Sequence, residues 1–143
     1  AGLERLGLDH LITEVLEPPG WLPAATQGTI GIQCREGDDE VIGRIGPLAD
    51  ADTTLRTRAE RAVATALEGS CQVPLAVYAD LAGGELSIRG LVGRPDGSEV
   101  LRAEAAGDPA NVDELSAHVA GDLLRLGADR IIAALSHNQP GPH

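Results

Sequence analysis

Within a few residues of Gly69 the apolar pattern switches from helical to extended, and that switch limits the fold more than any other feature of the chain. Upstream, Leu55, Ala59, Val63 and Leu67 recur at i, i+4, and Ala62 and Ala66 widen the stripe. This is one face of an amphipathic helix. Asp50 or Asp52 is placed to cap it by accepting from free backbone N–H groups. Gly69 and Ser70 release the chain, because glycine tolerates the left-handed geometry of a helix end. Pro74 then holds Val73 extended. Downstream the period is two: Val73, Leu75, Val77, Ala79 and Leu81 alternate with Pro74, Ala76, Tyr78 and Asp80. Ala82-Gly83-Gly84 turns the chain into a second strand from Glu85 to Val92. Arg94-Pro95-Asp96-Gly97 turns it again, into a third from Glu99 to about Ala105. Three successive strands joined by short turns make an antiparallel meander.

Such a sheet must bury one face. The helix ending at Leu67 can cover it, together with a second helix that follows Asp108-Pro109. The second carries Val112, Leu115, Val119, Leu123 and Leu126 on one stripe, and Gly127 ends or interrupts it before a last helical stretch from Ala128 to Leu135. The expected fold class is therefore α+β over residues 50–135, with helices on one face of a three-stranded antiparallel sheet. Val119 and Leu123 should be core. Residues 136–143 are polar and proline-rich and are expected to be disordered.

The first 49 residues read less regularly. Gly2 to Leu6 form a short helical piece, and Glu17-Pro18-Pro19-Gly20 is a break. A short strand is expected from Thr29 to Gln33, where Ile30 and Ile32 alternate with Gly31 and Gln33. Gly37-Asp38-Asp39 opens another helical piece, which Gly46-Pro47 ends.

Composition excludes several classes of function. A net charge of −11 disfavours nucleic acid and anionic membranes by repulsion. Trp21 and Tyr78 are the whole aromatic complement, so there is no stacking platform for single-stranded nucleic acid. No apolar run approaches the roughly 20 residues that span a bilayer. His10, His118, His137 and His143 show no ligand spacing, so no metal site is expected. Cys34 and Cys71 stand in no CxxC spacing, which fits two free thiols in a reducing cytoplasm better than it fits the alternative, one disulfide. Arg56, Arg58 and Arg61 lie off the helical stripe among Asp50, Asp52 and Glu60, the pattern of an ion-paired helix surface.

Cys71 is the principal chemical candidate. It falls on the connector between helix and strand, where rigid neighbours can present a thiol outward. A buried small hydrophobe is the plainer reading of a single cysteine. The surrounding sequence decides between them. The run Glu60-Arg61-Ala62-Val63-Ala64-Thr65-Ala66-Leu67-Glu68-Gly69-Ser70-Cys71-Gln72-Val73-Pro74-Leu75-Ala76 resembles the signature segment of the porphobilinogen deaminase (hydroxymethylbilane synthase) family. Ala1 to Leu8 resembles that family's AGLxRLGL segment. Leu22 to Arg35 resembles its LPAxGQGAxGIECR segment, and Gly90 to Gly97 its GLVxxPDG hairpin. The similarity covers nearly the whole chain in the family's order.

The resemblance implies that Cys71 carries a dipyrromethane cofactor through a covalent thioether. It further implies that Arg5 contacts acidic side chains of the cofactor or growing chain, for which the bidentate guanidinium suits better than lysine. Gly2 would lie near the same ligand and allow close backbone approach, and Gln27, in the GQG segment, would be a ligand-side donor or else a structural crossover residue. Ser70 stands where glycine is common in the family, and Thr26 and Thr29 where glycine and alanine are. No catalytic residue is expected in this chain, since no residue matches the family's catalytic aspartate and the context of Asp80 does not correspond.

The same resemblance makes residues 1–49 return segments of two upstream α/β domains with a periplasmic-binding-protein-like fold. It makes residues 50–135 the cofactor-anchoring domain. The acidic charge and the start inside a helical segment then point to the C-terminal part of a longer enzyme, whose upstream half holds the basic residues. The implied partners are porphobilinogen, the growing polypyrrole chain and that upstream half, in a monomeric cytoplasmic enzyme. A non-catalytic α+β fragment and a small regulatory ligand-binding domain are the competing readings. The second fits the α+β pattern but not the motifs.

Overall fold

The structure is a computed structural model that describes residues 2–67 and 74–136, with the side chains of Leu135 and Ser136 left out. The connector from Gly69 to Val73, Cys71 with it, lies outside the described residues, as does the tail after Ser136.

Helix α1 spans Gly2–Arg5, and a 3-10 turn follows at Asp9–Leu11. Helix α2 spans Asp39–Ile45. The Asp38 carboxylate caps it by accepting from the Val41 N–H at 3.2 Å, and a 3-10 turn at Gly46–Leu48 closes it. Helix α3 spans Ala51–Ala66, and of the two candidate caps it is Asp50 that accepts from the Thr53 N–H, at 2.7 Å. Hydrogen bonding from Thr53 holds the Asp50 carboxyl below the ordinary aspartate range.

Strands β1 (Leu75–Ala82), β2 (Glu85–Gly93) and β3 (Val100–Gly107) form the expected antiparallel meander in the order β1-β2-β3. In the turn after β2, Gly97 has φ +73° and its N–H donates to the Arg94 carbonyl at 2.9 Å. A 3-10 turn at Pro109–Asn111 leads into α4 (Val112–Leu126). Gly127, at φ +102°, ends α4 before α5 (Ala128–Ser136).

The core forms where the two periodicities meet. Ala59, Val63 and Leu67 of α3 pack with Val77 and Ala79 of β1 and with Leu86, Ile88 and Val92 of β2. Val112, Val119, Ala120 and Leu123 of α4 close the same cluster, joined by Ala128 and Ile131 of α5. Val119 and Leu123 are fully buried, as the stripe predicts. Gly90 permits the close approach of α4 to the sheet, because a Cβ there would sit 2.9 Å from Leu123 Cδ1 and 3.1 Å from Val119 Cγ1. The α+β architecture with helices on one sheet face is thus the observed one.

Two expectations about the apolar pattern need correction. Thr29 to Gln33 is not a strand: Ile30 is 90% exposed, and no described strand pairs with it. Alternation alone does not hold an extended segment; it needs a ladder partner. Ala66 is exposed, so the helical stripe does not widen on that side. Two polar residues also belong to the interior. Ser116 is buried, with its hydroxyl donating to the Val112 carbonyl at 2.7 Å and 3.2 Å from that of Ala59. Glu60 is 7% exposed.

Candidate functional site

An open cleft of about 790 Å³ lies among the described residues. The first half of α3 and the free edge of β1 form one wall, through Arg56, Thr57, Glu60, Tyr78 and Ala79. The loop from Gln27 to Ile32 and the stretch from Ile45 to Ala49 form the other. Among the described residues strand β1 pairs only with β2, so half of its backbone N–H groups point away from the sheet. Glu60 answers one of them: its Oε1 accepts from the Ala79 N–H at 2.8 Å. Its Oε2 accepts from the Thr26 N–H at 2.5 Å. One buried carboxylate thus joins α3, the edge of the sheet and the glutamine loop.

The loop is a tight turn. Thr26 has φ +60°, the Gln27 N–H donates to the Ala24 carbonyl at 3.1 Å, and the Thr29 N–H donates to that of Thr26 at 3.1 Å. Gln27 Oε1 accepts from the Ala24 N–H at 3.3 Å, which leaves the donor end of the amide for an acceptor in the cleft. The departure from the family's glycine at Thr26 therefore falls on a left-handed residue, the geometry that glycine adopts without steric cost.

Arg5 and Gly2 lie elsewhere. Both are exposed on α1, and neither lines the cleft at Gln27. A Cβ on Gly2 would meet nothing within 4 Å, so no described neighbour demands glycine there. The structure does not bring the two halves of the candidate site together. Cys71 lies outside the described residues. Cys34 is a half-buried free thiol in a loop.

Sequence reasoning missed two residues of the cleft. Arg58 does pair with Asp113, at 3.2 and 2.5 Å, as an ion-paired surface requires. Arg56 instead lines the cleft, with Nε 3.4 Å from the Asp52 carbonyl and Nη2 3.5 Å from the Thr53 hydroxyl, both long contacts to neutral oxygens. The other residue is Glu60. Its place next to Ala59, on the border of the stripe, was the one available signal.

A smaller recess of about 390 Å³ lies on the opposite side of the meander. Pro19 and Leu22 line it together with Arg89, Gly90, Arg102, Ala103 and Glu104. Leu22 is 9% exposed there, the one large apolar side chain of the first 49 residues that is buried. Arg89 pairs across the strands with Glu104 at 3.5 Å. No helix among the described residues is long and apolar enough to cross a membrane.

Two family models match. One is described as the C-terminal domain of porphobilinogen deaminase and covers residues 54–125. The other is described as the dipyromethane cofactor binding domain of porphobilinogen deaminase and covers residues 1–43. Cys71 falls within the first match; Gly2, Arg5 and Gln27 fall within the second. Porphobilinogen deaminases of Bordetella parapertussis and Bordetella bronchiseptica are each 48% identical over 142 residues, which is 99% of this chain and 45% of theirs. The chain thus spans a little under half the length of these relatives. Matched from end to end, with an α+β meander where the C-terminal domain is expected, the chain belongs to the porphobilinogen deaminase family.

Proposed function

We propose that this chain is the C-terminal part of a hydroxymethylbilane synthase. The complete enzyme condenses four porphobilinogens head to tail, loses one ammonia at each step, and releases linear hydroxymethylbilane by hydrolysis. The observation that carries the reading is the 48% identity to porphobilinogen deaminases over 99% of the chain, with the cysteine segment inside the matched C-terminal domain.

The residues present suit a ligand bearing carboxylates on one side only. The cleft offers Arg56, the hydroxyls of Thr53, Thr54 and Thr57, and the amide of Gln27. Its two carboxylates already accept from backbone N–H groups, Glu60 from those of Thr26 and Ala79 and Asp50 from that of Thr53. With a net charge of −11, the chain cannot balance a polycarboxylate by itself. The remaining cations, and the acid–base aspartate, belong in this reading to the part of the relatives that the chain does not span.

Cys71 is the covalent anchor. A thiolate is the competent nucleophile near neutral pH, and a connector leaves it accessible. Dipyrromethane, once bound, supplies the free pyrrole carbon to which the first porphobilinogen adds. Arg5 holds a cofactor or chain carboxylate through its planar fork, Gly2 lets the backbone approach it, and Gln27 donates from its amide. Residues 1–49 are return segments of two upstream domains, residues 50–135 form the anchoring domain, and residues 136–143 are the tail. The assembled enzyme is a cytoplasmic monomer.

Reconstitution tests the reading. The 143-residue chain alone should turn over no porphobilinogen, and adding the upstream half as a separate chain or a fusion should give turnover. In the assembled enzyme Arg5→Lys keeps the charge and removes the fork. It should slow elongation while leaving thermal stability unchanged. Turnover by the isolated chain, or normal levels of every chain intermediate in Arg5→Lys, would overturn it.

A further inference from the structure

Glu60 is a carboxylate in the wrong place for an ordinary helix surface. Its neighbour Ala59 is fully buried, and Glu60 itself is 7% exposed. Removing a carboxylate from water is expensive unless each oxygen is hydrogen-bonded. Here neither partner is a side chain. Both are backbone N–H groups, one 19 residues away on the free edge of β1 and the other 34 residues away in the glutamine loop. Bonds to an ionised acceptor are the strong kind.

The Thr26 end has a second peculiarity. Threonine at φ +60° is strained, because a β-branched side chain fits the left-handed region poorly. Such a conformation persists only when its surroundings over-determine it. The Glu60 bond to the Thr26 N–H is that restraint, and Gln27 is the next residue, lining the cleft. We infer that Glu60 is a positioning residue: its carboxylate latches the left-handed turn at Thr26 to the edge of β1 and thereby fixes Gln27 in the cleft. The latch itself rests on geometry alone. Its consequence for turnover rests on the proposed role of Gln27.

Residue-resolved amide hydrogen exchange on the chain tests the latch. In the unaltered chain the Thr26 N–H should be protected by about tenfold or more, the worth of a hydrogen bond to a charged acceptor. A Thr26 amide exchanging at the coil rate would overturn the proposal with no variant needed. Glu60→Gln can accept at only one of its two ends. Whichever of Thr26 and Ala79 faces the amide NH2 should then lose about tenfold of protection while Val63 and Ile88 keep theirs. Adding Thr26→Gly to Glu60→Gln should restore part of the loop's protection, since glycine holds a left-handed turn without a restraint. Equal loss at Thr26, Val63 and Ile88 would mean a general packing role and no latch.

In the assembled enzyme Glu60→Gln and Gln27→Ala should lower kcat/KM in the same direction. The double variant should be no worse than the more severe single one, because both act through one group. Additive losses would overturn the positioning role. A silent Gln27→Ala would remove both the reading of Gln27 and the positioning role, with the exchange result at Thr26 unaffected.

Discussion

Residues 2–49 and residues 51–136 draw on the same aliphatic side chains and use them in opposite ways. In the second stretch Val63, Val77, Leu86, Ile88, Val92, Val119 and Leu123 are all fully buried, and among the described residues the exposed large apolar side chains are Val100, Leu124 and Leu126. In the first stretch Leu6, Leu11, Val15, Leu16, Ile30, Ile32 and Leu48 are each more than half exposed, and Leu22 alone is buried. The difference is one of local closure. A meander flanked closely in sequence by α3 before it and α4 after it can cover its own apolar face. Short helical pieces and an unpaired extended loop cannot. Exposed apolar surface on that scale marks a surface built to meet another. Under the proposed function its cover is the pair of upstream domains.

Truncation at a fully buried position should have the largest effect. Leu123→Ala should cost about 2–5 kcal/mol in denaturant unfolding of this chain. Ile30→Ala, at 90% exposure, should stay within about 0.5 kcal/mol. The comparison breaks if the two variants cost the same. In the assembled enzyme Ile30→Ala should become costly, provided the upstream domains cover it.

Thr26→Gly probes the point where the two stretches join. Relief of the left-handed threonine is worth about 1–2 kcal/mol, and glycine returns about 0.4–1 kcal/mol of that through the entropy of the unfolded chain. A net gain of up to about 1.5 kcal/mol is expected, read by the same unfolding experiment. A loss would show that the loop needs threonine for some contact other than its backbone.

The smallest effect should come from Asp50, where the second stretch begins. Hydrogen bonding from Thr53 lowers its pKa, so its contribution is present above the unfolded value and lost as pH falls through the lower folded one. Asp50→Ala should lower the thermal midpoint at neutral pH, and the difference from the parent should shrink below about pH 4. A difference that stays constant into acid would mean that the carboxylate is not the cap.

What the sequence disclosed follows the same division. The meander, its turns and the stripe through Val119 and Leu123 were legible because each residue's face is set by contacts nearby in the chain. Ile30 and Ile32 alternate as a strand does, yet extended backbone needs a neighbour, and no described strand supplies one. Glu60 and Arg56 escaped for a different reason. Their roles depend on what crosses the edge of β1 from residues 19 and more positions away, which no periodicity encodes. The positive φ at Thr26 was hinted at by the family's glycine there. That hint became informative only once the backbone geometry was known.

The central claim is that Cys71 is the anchor, and a mass measurement tests it most directly. In the assembled enzyme the peptide containing Glu68 to Leu75 should carry a covalent increment of two pyrrole units. Cys71→Ser should abolish it, because an alkoxide is far harder to form near neutral pH than a thiolate. Cys34→Ser should leave it in place. An unmodified Cys71 peptide in an active enzyme, or the increment on the peptide holding Cys34, would contradict the assignment.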